Sequence, residues 1–124
     1  MSRFTDATWR ETGETRAGRP IVCLTSPLSY DVGFLGSGWA ITAPEGFCTD
    51  LASIPRLILR TEWGQRLAGQ IARSAVVHDR MRTDRRWPKL LGDYVFLEAM
   101  GVDGVSRVSR AVAFVAVLLN FNRD

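Results

Sequence analysis

Histidine, lysine and cysteine are scarce in this chain of 124 residues, which has one histidine (His78), one lysine (Lys89) and two cysteines (Cys23 and Cys48). A lone histidine and two widely separated cysteines offer none of the paired ligand spacings of a zinc site. The longest uninterrupted apolar run, Ala111–Leu119, is nine residues, about half of the ~20 needed to cross a bilayer. The opening residues MSRFTDATWR lack the apolar stretch of a secretory signal. Without such a signal the cysteines are expected to be two reduced, buried thiols, with a bridge between neighbouring strands as the alternative.

What is present is ordinary for a folded chain. Apolar residues make up 46% and charged residues 23%, far from the composition of disordered segments, and the length suits one domain with one core. Nearly all the basic charge is arginine, and it is uneven. Residues 1–55 carry four cations against six anions, and residues 56–124 carry twelve against seven. This excess is small beside the basic stripes of committed nucleic-acid binders, which argues against specific nucleic-acid recognition.

Along the chain, residues 1–19 are polar and interrupted by Gly13 and Gly18, so an irregular or edge segment is expected there. Strand-forming runs follow within residues 20–50: Ile21–Leu24, a second reaching Tyr30 and Val32, and a third with Trp39, Ile41 and Ala43 in alternation. Ala43-Pro44-Glu45-Gly46 reads as a β-turn with proline second, leading by a hairpin into Phe47-Cys48-Thr49. From residue 53 to 121 the period is helical. A short helix is expected from an N-cap at Ser53 to Arg60, a long one from Gly64 to Arg82, a third from Pro88 to Met100 stopped by Gly101, and a last from Val105 to Asn120. The long helix places Leu67, Ile71 and Ala75 inward and Arg66, Arg73 and Arg80 outward. The last carries Val105, Val108, Val112, Val115 and Leu119 on one stripe, with Phe114, Val117 and Phe121 on another that could join a second copy or a neighbouring subunit. The expected fold is therefore α+β: a small N-terminal antiparallel sheet packed on a C-terminal bundle of three to four helices.

Polar residues interrupt two apolar helix stripes. His78 continues the row Leu67, Ile71, Ala75, and Asp79 continues the row beside it; Asp93 sits amid Leu90, Leu97 and Met100. Buried carboxylates need cations, metals or several donors. The connection at 83–87 is short, so its flanking helices should run antiparallel. His78 precedes its middle by as many positions as Asp93 follows it, which puts the two at one height. Asp93 bonded to one ring nitrogen would make the other a stronger base, the arrangement general-base catalysis requires. The same spacing fits a structural ion-pair knot in which Asp79 is taken by Arg56 or Arg82. Asp50, at a strand-to-helix edge, either bonds helix amides or joins Asp79 in holding a divalent cation; oxygen ligands of this kind suit calcium or magnesium. Arg82 and Arg56 are candidate contacts for an anionic substrate.

Three ordered segments, Gly46-Phe47-Cys48-Thr49-Asp50-Leu51-Ala52-Ser53-Ile54-Pro55, Ala75-Val76-Val77-His78-Asp79 and Gly92-Asp93-Tyr94-Val95-Phe96, resemble those of a family of tailed-phage and prophage proteins, the domain of unknown function family 1353. The resemblance implies a phage origin, and with it a location in the host cytoplasm during infection or in the virion. It departs from the family at Arg82, where an aromatic is usual, and at Gly92, where alanine is. The helical His-Asp pair facing an Asp is also similar to secreted phospholipases A2. That similarity implies His78 as the base activating water, Asp79 as a calcium ligand and Asp93 as the residue orienting His78, although the glycine-rich calcium loop and the disulfides of those enzymes are missing. The leading expectation is thus a small phage hydrolase acting on an ester or amide. The alternatives are a non-enzymatic virion or accessory component, in contact with other phage structural proteins, and an inhibitor of a host defence protein.

Overall fold

The computed structural model describes residues 3–16, 19–50, 61–84 and 86–119. Five strands precede three helices among them: β1 (Trp9–Arg16), β2 (Arg19–Leu24), β3 (Leu28–Asp31), β4 (Ala40–Ala43), β5 (Cys48–Thr49), α1 (Glu62–Thr83), α2 (Lys89–Val102) and α3 (Arg107–Leu118). This is the α+β arrangement, sheet first and helices after. The helix expected between Ser53 and Arg60 lies outside the described residues, as does Arg56. No described helix is long and apolar enough to cross a membrane.

The strands form two antiparallel sheets, one ordered β1-β2-β5 and one pairing β3 with β4. β1 is an edge strand and solvent-exposed along almost its whole length, which explains why its sequence shows no apolar alternation. In β4, Ile41 and Ala43 face the core while Ala40 and Thr42 face out, the period of two read from the sequence. The turn beyond it differs from expectation by one residue. Phe47 N–H donates to the Pro44 carbonyl at 3.0 Å, so proline is first, and Gly46, third, takes the left-handed φ of 86° that such a turn demands. The strand after the turn does not return along β4. β5 crosses instead to β2, with Val22 opposite Thr49 and Cys23 opposite Cys48. That crossing corrects a second expectation, because Cys23 and Cys48 are joined in a disulfide.

Helix boundaries follow their caps. Thr61 Oγ1 accepts from Gly64 N–H at 2.9 Å, which starts α1 two residues before Gly64. α2 runs through Gly101 to Val102, and the chain turns away at Gly104, whose φ is 77°. There Val105 N–H reaches the Met100 carbonyl at 3.1 Å and Gly104 N–H the Gly101 carbonyl at 3.2 Å, the paired bonds of a Schellman stop. Ser106 caps α3 by accepting from Ser109 N–H.

α1 is the central element. Val76, Val77 and Met81 pack with Phe4, Leu28, Tyr30 and Ile41 of the strand layer, while Leu67, Ile71 and Ala75 pack with Phe96, Met100, Val105, Ala113 and Val117. A helix covered on both sides must be apolar over more than one stripe, so Ser74 through Asp79 are all buried. Arg73 and Arg80, expected on a solvated face, are half-buried instead. Arg73 pairs with Asp103 and lies over the Phe4 ring at 4.5 Å, and Arg80 donates to the Thr42 carbonyl. α3 turns Ser109, Ala113 and Val117 inward and leaves Val108, Val112, Val115 and Leu119 exposed. Of the stripe expected to meet a neighbouring subunit, Val117 is therefore buried, Phe114 is half-buried, and Phe121 lies outside the described residues.

Candidate functional site

The site grows from the α1–α2 seam. The helices are antiparallel: as α1 is followed from residue 81 back to 73, its partners on α2 and just beyond it advance. A Cβ on Gly92 would lie 3.6 Å from that of Met81, His78 meets Asp93, and Arg73 meets Asp103. At mid-seam, His78 Nε2 and Asp93 Oδ1 are 2.7 Å apart, and each side chain is only 1% exposed. The His78 ring also stacks near Phe96, centroids 4.9 Å apart.

Asp93 uses its second oxygen as well. Lys89 Nζ donates to Asp93 Oδ2 at 2.6 Å, to the Val117 carbonyl at 2.8 Å and to the Leu118 carbonyl at 3.2 Å. The one lysine of the chain thus caps the C-terminus of α3, where the helix dipole favours a cation, and ties that end to the His78–Asp93 pair. Burial alone would push the Asp93 carboxyl up, but hydrogen bonds from His78 and Lys89, with their charges, outweigh it and hold it below the ordinary carboxylate range. An ionised carboxylate can only accept, so the hydrogen of this bond is on Nε2. The sequence reading passed over Lys89, although its spacing of four from Asp93 on a helix was the available signal.

Asp79, one residue on, faces away from this seam, as the ~100° step per residue of a helix requires. Thr49 Oγ1 donates to Asp79 Oδ2, linking β5 to α1, and Thr83 Oγ1 donates to the Asp79 carbonyl at 2.8 Å. Beside this contact a pocket of about 70 Å³ is lined by Arg16, Phe47, Cys48, Thr49, Asp50, Asp79, Arg82 and Thr83. Water occupies ~30 Å³ per molecule, so the pocket holds a few waters or a hydrated ion and falls far below the ~300 Å³ at which organic-ligand sites begin. Asp79, Asp50 and Arg82 therefore share one pocket, while His78 and Asp93 do not line it. Arg16 is a lining residue that sequence reasoning gave no reason to choose, since it arrives from an edge strand remote in the chain. Oxygen atoms of Asp79 and Asp50 are the described candidates for a calcium or magnesium ion. Among the described residues, no group of three or more histidines, cysteines or acidic residues is placed to hold a metal.

A second, partly buried polar cluster fastens α2 to the strands. Glu98 Oε1 accepts from the Tyr30 hydroxyl at 2.6 Å, from Gly33 N–H at 2.8 Å and from Arg3. Tyr30 is fully buried; burial first, then the bond to Glu98 and its charge, push its hydroxyl well above the ordinary tyrosine value.

The family described as "Protein of unknown function (DUF1353)" matches residues 23–117. The chain belongs to this family. No curated protein and no solved structure matches it. The residues that carried the resemblance converge in space: in this DUF1353 chain Thr49 bonds Asp79, and His78 bonds Asp93, so three segments distant in sequence meet around one turn of α1.

Proposed function

We propose that the chain is a non-enzymatic phage component, virion or accessory, in which the His78–Asp93–Lys89 cluster is structural. One observation carries this reading: the imidazole is enclosed, and the carboxylate bonded to it is also neutralised by a lysine that anchors a third helix. A general base needs an open approach to the substrate, and an orienting carboxylate gains nothing for catalysis from clamping α3. The phage association rests on the likeness of the three motif segments to tailed-phage proteins. Any contact with a neighbouring subunit would fall on the exposed Val108, Val112, Val115 and Leu119 rather than on Val117.

Replacing His78 with Asn tests this. The expected result is a stability loss of about 1–3 kcal/mol in urea, with chromogenic ester and amide substrates hydrolysed no faster by the native protein than by the variant, with or without added calcium or magnesium. Turnover by the native protein that disappears in a well-folded variant would overturn it.

A second reading, a metal-assisted hydrolase acting on an ester or amide, is favoured by the pocket at Asp79. Asp79 and Asp50 would hold calcium or magnesium there, with Arg82 contacting an anionic substrate group. Its test is calcium or magnesium titration of the native protein and of Asp79→Asn: saturable binding lost in the variant supports it, and identical traces reject it.

A further inference from the structure

We infer that the Cys23–Cys48 disulfide is a redox latch on the Asp79 pocket, closed when oxidised and released by a thiol reductant. The inference stands independently of the function proposed above.

β5 is two residues long, short even for an edge strand. Its noncovalent hold on β2 is the pairing of Val22 with Thr49 and Cys23 with Cys48, extended by Leu24 N–H to the Phe47 carbonyl at 2.9 Å and Gly46 N–H to the Leu24 carbonyl at 2.8 Å. The disulfide spans the middle of this strip and closes a sequence separation of 25 residues. Thr49 follows Cys48 directly and donates to Asp79, and Cys48, Thr49, Asp50 and Asp79 all line the pocket. One covalent bond thus fixes the strand that forms a wall of the pocket and supplies a donor to Asp79.

The two sulfurs differ in access. Cys23 is buried, whereas Cys48 is exposed and borders the pocket, so an incoming thiolate meets Cys48. Its attack forms a mixed disulfide on Cys48 and expels the Cys23 thiolate. A second thiol of the same reductant then displaces Cys48, leaving two protein thiols and one oxidised dithiol, a balanced two-electron exchange. Once the link is cut, the described hold of β5 on β2 is its short ladder alone, and the Thr49–Asp79 bond loses its covalent brace.

Amide hydrogen exchange of the whole chain, with and without dithiothreitol, tests the latch. The expected result is exchange at residues 46–50 at least tenfold faster after reduction, with α2 unchanged. A Cys23→Ser, Cys48→Ser double variant should show the faster exchange at the start and no response to dithiothreitol. Equal protection of residues 46–50 in both redox states would overturn the inference. So would loss of protection spreading equally through α2, because the disulfide would then be a general staple of the fold.

Discussion

His78 and Asp79 are adjacent in sequence and belong to different regions of the molecule. The imidazole turns into the seam between α1 and α2, where it is 1% exposed and bonded to a carboxylate of the same exposure. The Asp79 carboxylate, 8% exposed, turns toward β5 and borders a pocket. A His-Asp pair that invites reading as one catalytic unit is thus the meeting point of two environments, one sealed among helices and one at the edge of a sheet. The sealed side has the character of a fastening, since its bonds tie α1, α2 and the end of α3 together. The open side has room for water or an ion and is held by a short strand.

The largest effect that would separate the two regions is expected at Asp93. Asp93→Ala leaves Lys89 and His78 without their shared partner, and breaking a buried pair in this way costs about 3–5 kcal/mol; urea unfolding measures it. A loss under 1 kcal/mol would show that the helix seam does not depend on the cluster. The same carboxylate sets an acid limb. Its folded value lies below the ordinary one, near 3.9 in an unfolded chain, so the unfolded state binds its proton first as pH falls. The stability it gives is complete above about pH 4 and is lost as pH drops through the folded value. Asp93→Asn should therefore flatten the stability curve below about pH 4. Tyr30 acts at the other end: its hydroxyl value is raised, so stability falls as pH climbs beyond about 10, and Tyr30→Phe should remove that part of the alkaline decline.

On the pocket side a smaller loss is expected. Thr49→Val keeps the volume and removes the donor to Asp79, which costs about 1 kcal/mol by the same urea measurement. Should Thr49→Val cost as much as Asp93→Ala, the contrast between a sealed fastening and an adjustable rim would collapse.

The helical half was the more legible part of the chain, for physical reasons. A short connection and a period of 3.6 dictate which residues of two helices face each other, and this places His78 opposite Asp93 from the sequence alone. The partner of β5 was not legible, because a two-residue strand carries no pattern that says which edge it joins; the disulfide and the Thr49–Asp79 contact went with it. α3 misled for another reason. Its valine-rich row, Val108, Val112, Val115 and Leu119, is exposed, with Val108 at 73%, and the buried row is Ser109, Ala113 and Val117. Apolar content alone does not say which face is buried, because small residues are what permit close approach to a neighbouring helix. Lys89 was visible as the sole lysine, yet its role depended on the end of α3, which lies 28 residues away along the chain.

Gly92 offers the finest test of how rigid the sealed seam is. It lies in the interior of α2, immediately before Asp93. Glycine there gives up about 0.5–1 kcal/mol of helix stability relative to alanine. Among the described residues, the one atom within 4 Å of a new Cβ is Met81 Cβ at 3.6 Å, an ordinary van der Waals contact, so the methyl group fits between α1 and α2 without moving either. Gly92→Ala should therefore stabilise the protein by about 0.5–1 kcal/mol in thermal or urea unfolding, and the exchange protection of β5 should not change. If it destabilised instead, the helices at that level would pack more closely than the Met81 contact indicates, and the His78–Asp93 bond one residue further on would be under compression that only a glycine relieves.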